Sequence, residues 1–216
     1  EPDPIRRSLT GFSIMPASTL RLHAGPGSPI MRGMDPRSDL VRHYLWLRRY
    51  GLNDSHSGNA SVRDGELVWV TPTGCCADTL RPADLLPCTL DGPPPAGASL
   101  DAPLHLAVYR RSPGLGAVLH SHGPHTVALT FEGGDYDPPD FEAQYYFGRV
   151  PVLPIPYDRY LVEAPEAVSR ALPQHRVVVV RGHGVFAAAP SLNLAYKWTC
   201  SLELSARTAY LARTVG

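Results

Sequence analysis

Three histidines in two short runs carry most of the chemistry this chain can do. The first run is Val118-Leu119-His120-Ser121-His122. On a strand successive side chains alternate faces, so His120 and His122 project together while Ser121 points away. Two imidazoles side by side are costly to bury without partners. A divalent cation removes that cost, and imidazole suits Zn²⁺ and its first-row neighbours. The second run, Arg181-Gly182-His183-Gly184-Val185, follows another strongly apolar segment. Glycine on either side of His183 lets the backbone bend sharply and leaves the ring unobstructed. Each motif alone has an ordinary reading, as a surface pair or a turn. Their coincidence at the ends of two apolar strands points to one centre, and three His with an open position is a catalytic rather than a closed structural arrangement. Of the other histidines, His105 reads as a satisfied core residue and His125, past Gly123-Pro124, faces elsewhere. His23, His43, His56 and His175 have no partner pattern.

The elements that must position these residues follow from periodicity. Leu40, Val41, Tyr44, Leu45 and Leu47 form an apolar stripe that predicts a helix over 39–50, with Ser38 as N-cap and Gly51 as its stop. Ala60–Arg63 and Glu66–Val70 flank Asp64-Gly65 and predict a hairpin with a two-residue turn. A helix is expected from Ser99 through Tyr109, a strand over 116–122, a short strand over 150–153 and a helix over 164–172. Arg176–Arg181 reads as a buried strand and Leu192–Arg213 as a long final helix. Helices and strands alternate without repeats, so the class is α/β or α+β around a central sheet. Residues 1–36, rich in Pro and Gly and without periodicity, read as an irregular arm.

Composition narrows the function classes. At 216 residues one compact domain is the default. A net charge of +0 disfavours a nucleic-acid binder, which advertises a basic excess. No apolar run approaches the roughly 18 residues of a membrane helix, so no membrane partner is expected. Hydrophobic residues at 44% exclude a disordered chain. The 23 prolines imply many stiff loops. Cys75, Cys76, Cys88 and Cys200 form no C-x-x-C pair, so neither a disulfide framework nor a zinc finger is expected, and scattered thiols fit a reducing cytoplasm. The chain opens on Glu1 rather than Met, and residues 1 to about 33 are expected to be a processed or truncated leader.

Five blocks in order carry a family resemblance: Ser57-Gly58-Asn59-Ala60-Ser61, Thr71-Pro72-Thr73-Gly74, Ser99-Leu100-Asp101-Ala102-Pro103-Leu104-His105, His120-Ser121-His122 and Gly182-His183-Gly184. Through them, over about residues 38–213, the chain resembles the class II aldolase/adducin family, which includes fuculose-phosphate aldolase, rhamnulose-phosphate aldolase and ribulose-phosphate 4-epimerase. The resemblance implies that residues 37–216 form a metal-binding catalytic domain with a three-layer α/β/α fold and a mostly antiparallel central sheet. It implies His120, His122 and His183 as ligands of Zn²⁺, or of Mn²⁺, Co²⁺ or Fe²⁺. It implies a small-molecule substrate and a homotetramer with active sites between subunits. The family's catalytic carboxylate falls on Asp101, nineteen residues before His120. The ordinary reading of Asp101 is an acidic residue in a helix's first turn, with Ser99 as cap. Gly58, Asn59, Thr73, Gly74 and Ser99 stand where the family holds a phosphate, and they supply backbone N–H groups and a hydroxyl. Two departures matter. Leu100 replaces a second Ser of that anion site, so a carboxylate or a neutral group is an alternative occupant. Gln144 stands where the epimerase needs an Asp and cannot take a proton from a sugar carbon.

The function expected is a divalent-metal-dependent lyase of carbohydrate metabolism: aldol-type C–C cleavage or formation, or decarboxylation, through a metal-stabilised enediolate. Asp101 would relay a proton, or leave that step to a tyrosine; Tyr145, Tyr146 and Tyr157 are candidates. The alternatives are a sugar-phosphate epimerase, an iron-dependent oxidative decarboxylase and a non-catalytic adducin-like binding module.

Overall fold

The protein is described from a computed structural model, which covers residues 35–215. The arm expected over 1–36 lies outside these residues except for its last two. Those two start the first helix. Asp35 is the N-cap of α1 (Pro36–Arg49), its carboxylate accepting from Arg37 N at 2.9 Å, with Pro36 in the first turn. The cap expected at Ser38 is thereby corrected by three residues: Asp-Pro supplies both start signals earlier. Leu40, Tyr44 and Leu47 face the core as their spacing requires.

The hairpin is β1 (Asn59–Asp64) and β2 (Leu67–Val70). Asp64 pairs with Leu67, so the turn residues are Gly65-Glu66, one position later than expected. After β3 (Leu86–Thr89) comes α2 (Ala102–Arg111), which begins three residues beyond Ser99. Then follow β4 (Ala117–Ser121), α3 (Pro124–Leu129), α4 (Phe141–Phe147) and β5 (Val152–Leu153). α5 (Tyr160–Ala171), β6 (Val177–Val180), β7 (Gly184–Ala189) and α6 (Leu192–Val215) complete the chain.

The strands form one seven-stranded sheet in the order β3-β2-β1-β4-β7-β6-β5, antiparallel except between β5 and β6. The alternation of residues along its central strands builds two cores. Ala117, Leu119, Val177, Val179, Val185 and Ala187 face α1 and α6. Val118, Val178, Val180, Phe186 and Ala188 face α2 and α5. The result is a three-layer α/β/α fold, with β4, β6 and β7 buried along their whole length.

Register gathers chain-distant residues at one edge of this sheet. Asn59 at the start of β1 pairs with His120, Ser121 at the end of β4 pairs with Val185, and Val180 at the end of β6 pairs with Gly184. Whatever the loops at that edge carry is therefore held by the most buried strands of the molecule. No helix among the described residues is long and apolar enough to cross a membrane, and the four cysteines are free.

Candidate metal centre and active site

His120 follows Val118 onto the α2/α5 face of β4. It is buried there, with its ring stacked on Phe186 of the neighbouring strand at 4.1 Å and 6°. Its Nδ1 lies 3.1 Å from the Val185 carbonyl oxygen. A carbonyl can only accept, so Nδ1 carries the proton and Nε2 presents a lone pair. His122 stands one residue past β4. Its backbone N–H is held by Leu52 O at 2.8 Å and Asn53 Oδ1 at 2.9 Å. His183 sits in the three-residue turn between β6 and β7, its N–H donating to Val180 O at 3.0 Å.

The glycines around His183 have specific jobs. Gly182 has φ +68°, a left-handed conformation that lets the turn close. At Gly184 a Cβ would meet His122 Cδ2 at 2.7 Å and His120 Cε1 at 2.9 Å, besides the Ser121 carbonyl oxygen. Absence of that side chain is what allows the three rings to converge.

The ring centroid of His120 lies 4.5 Å from that of His122 and 4.8 Å from that of His183, and each ring offers a nitrogen within 4.8 Å of the others. Burial first, then the mutual repulsion of the rings, holds the His120 and His122 imidazoles below the ordinary histidine range, His122 at about 4. Burial lowers His183 as well, against the charge of Asp101. All three are therefore neutral near pH 7, the state a metal ligand needs. His120 Nε2 and His183 Nε2 are 3.2 Å apart. Two nitrogens on a tetrahedral zinc, each at about 2.05 Å, lie about 3.3 Å from one another. The donor set and its spacing thus fit a divalent cation.

Asp101 occupies the N-cap of α2, yet its carboxylate makes no capping hydrogen bond. Instead Asn59 Nδ2 donates to Oδ2 at 2.7 Å and Tyr160 Oη donates to Oδ1 at 2.8 Å. The side chain is turned towards the histidines, with Oδ2 3.9 Å from His120 Nε2. Ser99 Oγ accepts from Asp101 N at 3.2 Å, so Ser99 supports the turn two residues ahead of the cap position.

A cavity of about 780 Å³ opens over this group. All five residues expected to receive an anion line it: Gly58, Asn59, Thr73, Gly74 and Ser99. Leu100, 67% exposed, shares that wall. Tyr157 is at the rim. Tyr145 and Tyr146 are not brought to their own chain's cavity. They belong to α4, which packs on α6, where Tyr146 Oη donates to Glu142 Oε1 at 2.6 Å and its ring meets Trp198. Gln144, on the same helix, donates to Pro139 O at 3.2 Å.

Tyr160 is the residue that sequence reading misses. Its hydroxyl is on Asp101 and its ring edge lies against His183, with centroids 4.6 Å apart. Burial first and the Asp101 carboxylate second raise its pKa, so the hydroxyl keeps its proton. The sequence places the start of this helix at Ala164, next to Pro165. The helix in fact runs one turn earlier, with Pro165 inside it, and that turn delivers Tyr160 to the cavity.

With this geometry in view, comparison with known proteins places the chain. The family model described as class II aldolase and adducin N-terminal domain matches residues 38–210. The L-ribulose-5-phosphate 4-epimerase UlaF of Salmonella paratyphi B is 31% identical over 186 residues, covering 78% of this chain and 81% of that protein. The crystal structure of L-fuculose-1-phosphate aldolase from Thermus thermophilus superposes with a TM-score of 0.77 at 36% identity, covering 83% of this chain and 95% of that one. A sugar-phosphate aldolase from Thermotoga maritima, 17% identical, shares the fold with a TM-score of 0.73 over 84% of this chain and 96% of that one.

Proposed function

The chain belongs to the class II aldolase and adducin family, and from that premise we propose that it is a divalent-metal-dependent lyase. Its reaction makes or breaks a C–C bond beside a carbonyl in a small hydroxy-carbonyl or sugar-derived substrate. The observation that carries this reading is the convergence of His120, His122 and His183 beneath an open cavity, with the Asp101 carboxylate facing them. Those three imidazoles would hold the cation, which when bound polarises a carbonyl and stabilises the negative charge that develops next to it. Asp101 exchanges a proton with substrate. Asn59 and Tyr160 keep its two oxygens oriented, and the wall of Thr73, Gly74 and Ser99 receives the far end of the substrate. Leu100 on that wall favours a substrate end less charged than a phosphate.

The 31% identical epimerase supports epimerisation of a sugar phosphate as a second reading. Family membership also leads us to propose a homotetramer with active sites between subunits. Exposed Phe141 and Tyr145 on α4, and Tyr157 and Leu161 beside the cavity, are apolar surface that such an assembly would cover. Tyr145 and Tyr146 would reach a site only across such an interface.

The test is a screen of L-fuculose 1-phosphate, L-ribulose 5-phosphate and β-keto acids against purified protein of known metal content. The lyase reading expects an aldehyde or CO₂, lost on EDTA treatment and regained with Zn²⁺, Mn²⁺ or Co²⁺. Full activity in metal-free protein refutes it. A C4 epimer as sole product transfers the assignment to the second reading.

A further inference from the structure

The helix that follows His122 is capped from outside its own segment. A helix start leaves its first N–H groups without partners, and the side chain of the N-cap residue ordinarily serves the second or third of them. In α3 the N-cap is Gly123, which has no side chain, and Pro124 at the first position has no N–H to satisfy. The next two N–H groups are served by one carboxylate from α6, that of Glu203. Its Oε1 accepts from His125 N at 3.0 Å and lies 2.7 Å from His125 Nδ1. Its Oε2 accepts from Thr126 N at 3.0 Å and from Thr126 Oγ1 at 2.7 Å. We propose that Glu203 is a positioning residue of the metal centre. By holding the start of α3 from the layer across the sheet, it fixes where the chain leaves His122 and so where that imidazole stands. The inference rests on the metal-centre reading above and goes beyond it, because it assigns the support of one ligand to a residue of the opposite layer.

His122 stands beyond the last ladder pair of β4, Ser121 with Val185, so strand pairing does not set its position. On the entry side its N–H is held by Leu52 O and Asn53 Oδ1. On the exit side comes Gly123, the residue type with the widest backbone freedom. Such a joint passes on no position unless the chain beyond it is anchored, and the anchor is Glu203. A cap from residue 123 itself would satisfy the same N–H groups, but helix and joint would then be free to shift together. The remote carboxylate ties both to α6, where Leu202, Ser205 and Ala206 beside it are buried. The bare Gly123 belongs to the same device, since a Cβ there would collide with Glu203 Oε2. Glu203 is only 14% exposed, so water competes little for its oxygens. The lining of the cavity includes His122 but not Glu203, His125 or Thr126, so the carboxylate acts through the chain and not on substrate.

The full chain, stripped of metal, is titrated with Co²⁺, whose visible absorption reads the arrangement of its ligands, and with Zn²⁺ against a chelator. Wild type, Glu203→Gln, Thr126→Val and Thr130→Val are compared, and urea unfolding of each metal-free protein gives its stability. Glutamine fills the place of Glu203 but turns an NH₂ group towards one of the two N–H donors. Thr126→Val removes one of the four contacts, and decides the question alone if Glu203→Gln does not fold. Thr130→Val is the control: it deletes a hydroxyl bonded to Thr126 O at 2.7 Å, loosening α3 without removing any contact of Glu203. If Glu203 positions His122, Zn²⁺ affinity falls about tenfold in Glu203→Gln. It falls less in Thr126→Val, the Co²⁺ band shifts in both, and Thr130→Val keeps the wild-type affinity and band even where it loses as much stability. Wild-type affinity and band in Glu203→Gln and Thr126→Val, with stability alone lowered, would overturn the proposal and leave Glu203 a helix cap. An equal loss of affinity in Thr130→Val would overturn it too, since any loosening of α3 would then suffice. Failure of wild type to bind one equivalent of Co²⁺ would instead bring down the metal reading, and this inference with it.

Discussion

At Asp101 two roles open to an acidic residue at a helix start exclude one another. A capping carboxylate turns back on its own helix and satisfies an N–H of the first turn. Here that bond is absent, and both oxygens reach across the chain to Asn59 and Tyr160, residues 42 and 59 positions away. The helix start is secured by other means: Pro103 occupies the first turn, where a missing N–H costs nothing, and Ser99 Oγ holds Asp101 N. The carboxylate is thus released from structural duty. His122 is the complementary case, a proposed ligand whose backbone is anchored independently of its ring by Leu52 and Asn53. Replacing His122 with Ala is expected to lower Zn²⁺ affinity at least about 100-fold, more than loss of an outer partner costs. The metal-free protein should keep its circular dichroism spectrum and change in stability by less than about 1 kcal/mol. Equilibrium dialysis with elemental analysis, beside a denaturant titration, measures both. Retention of stoichiometric zinc in the variant would remove His122 from the ligand set.

At the scale of elements, the turn between β6 and β7 does for His183 what a strand does for His120. Its geometry depends on Gly184, whose missing Cβ leaves room for two imidazoles and a carbonyl. Gly184→Ala is expected to destabilise the fold by about 1–3 kcal/mol through overpacking and to weaken zinc binding about tenfold or more by displacing the rings. Gly65→Ala is the control. Gly65 has φ +61° with open space around it, so the substitution costs about 1–2 kcal/mol of backbone strain and leaves zinc affinity unchanged. Equal zinc affinity in both variants would refute the packing argument. The same elements explain what is legible in the sequence. The triad can be read because H-x-H at the end of a pure apolar run and Gly-His-Gly after another are local signals, and the sheet has only to bring two strand ends together. β7 is not legible: Gly-Val-Phe-Ala-Ala-Ala has little strand propensity, and its place between β4 and β6 comes from burial on both faces. Nor is α4, a helix of seven residues whose packing on α6 has no local periodicity to announce it. Tyr160 escapes because Pro165 reads as a helix start, whereas here the turn before it is helical as well. Tyr145 and Tyr146 are aromatic residues near the right segment, but α4 turns Tyr146 onto Trp198 of α6 and leaves Tyr145 exposed.

At the scale of the whole molecule, four buried or half-buried histidines stand neutral in one layer: the triad and His105. His105 is fully buried on α2, its Nδ1 2.7 Å from Ser61 Oγ. Burial, only partly opposed by the charge of Asp101, pushes it from 6.5 down to about 4. Between those values the unfolded chain binds a proton at this position and the folded chain does not, so stability rises with pH through the window. The contribution is complete above about pH 6.5, falls as the pH drops below it, and is gone near pH 4, amounting to about 3 kcal/mol from this ring alone. The three imidazoles proposed as ligands shift in the same direction, which steepens the acid limb of the metal-free protein further. Urea unfolding in EDTA at half-unit steps from pH 7.5 to 4.5 is therefore expected to show stability falling continuously below pH 6.5. His105→Gln, which keeps a hydrogen-bonding group beside Ser61 but cannot titrate, should flatten that fall by up to about 1.4 kcal/mol per pH unit, the work of one proton. Its curve should run parallel to the wild-type curve above about pH 6.5, where His105 is neutral in both folded and unfolded chains, and should rise relative to it towards the acid end. Curves that stay parallel down to the acid end would mean that His105 titrates alike in both states, and that the layer beneath the metal centre admits water or a charge that its burial excludes.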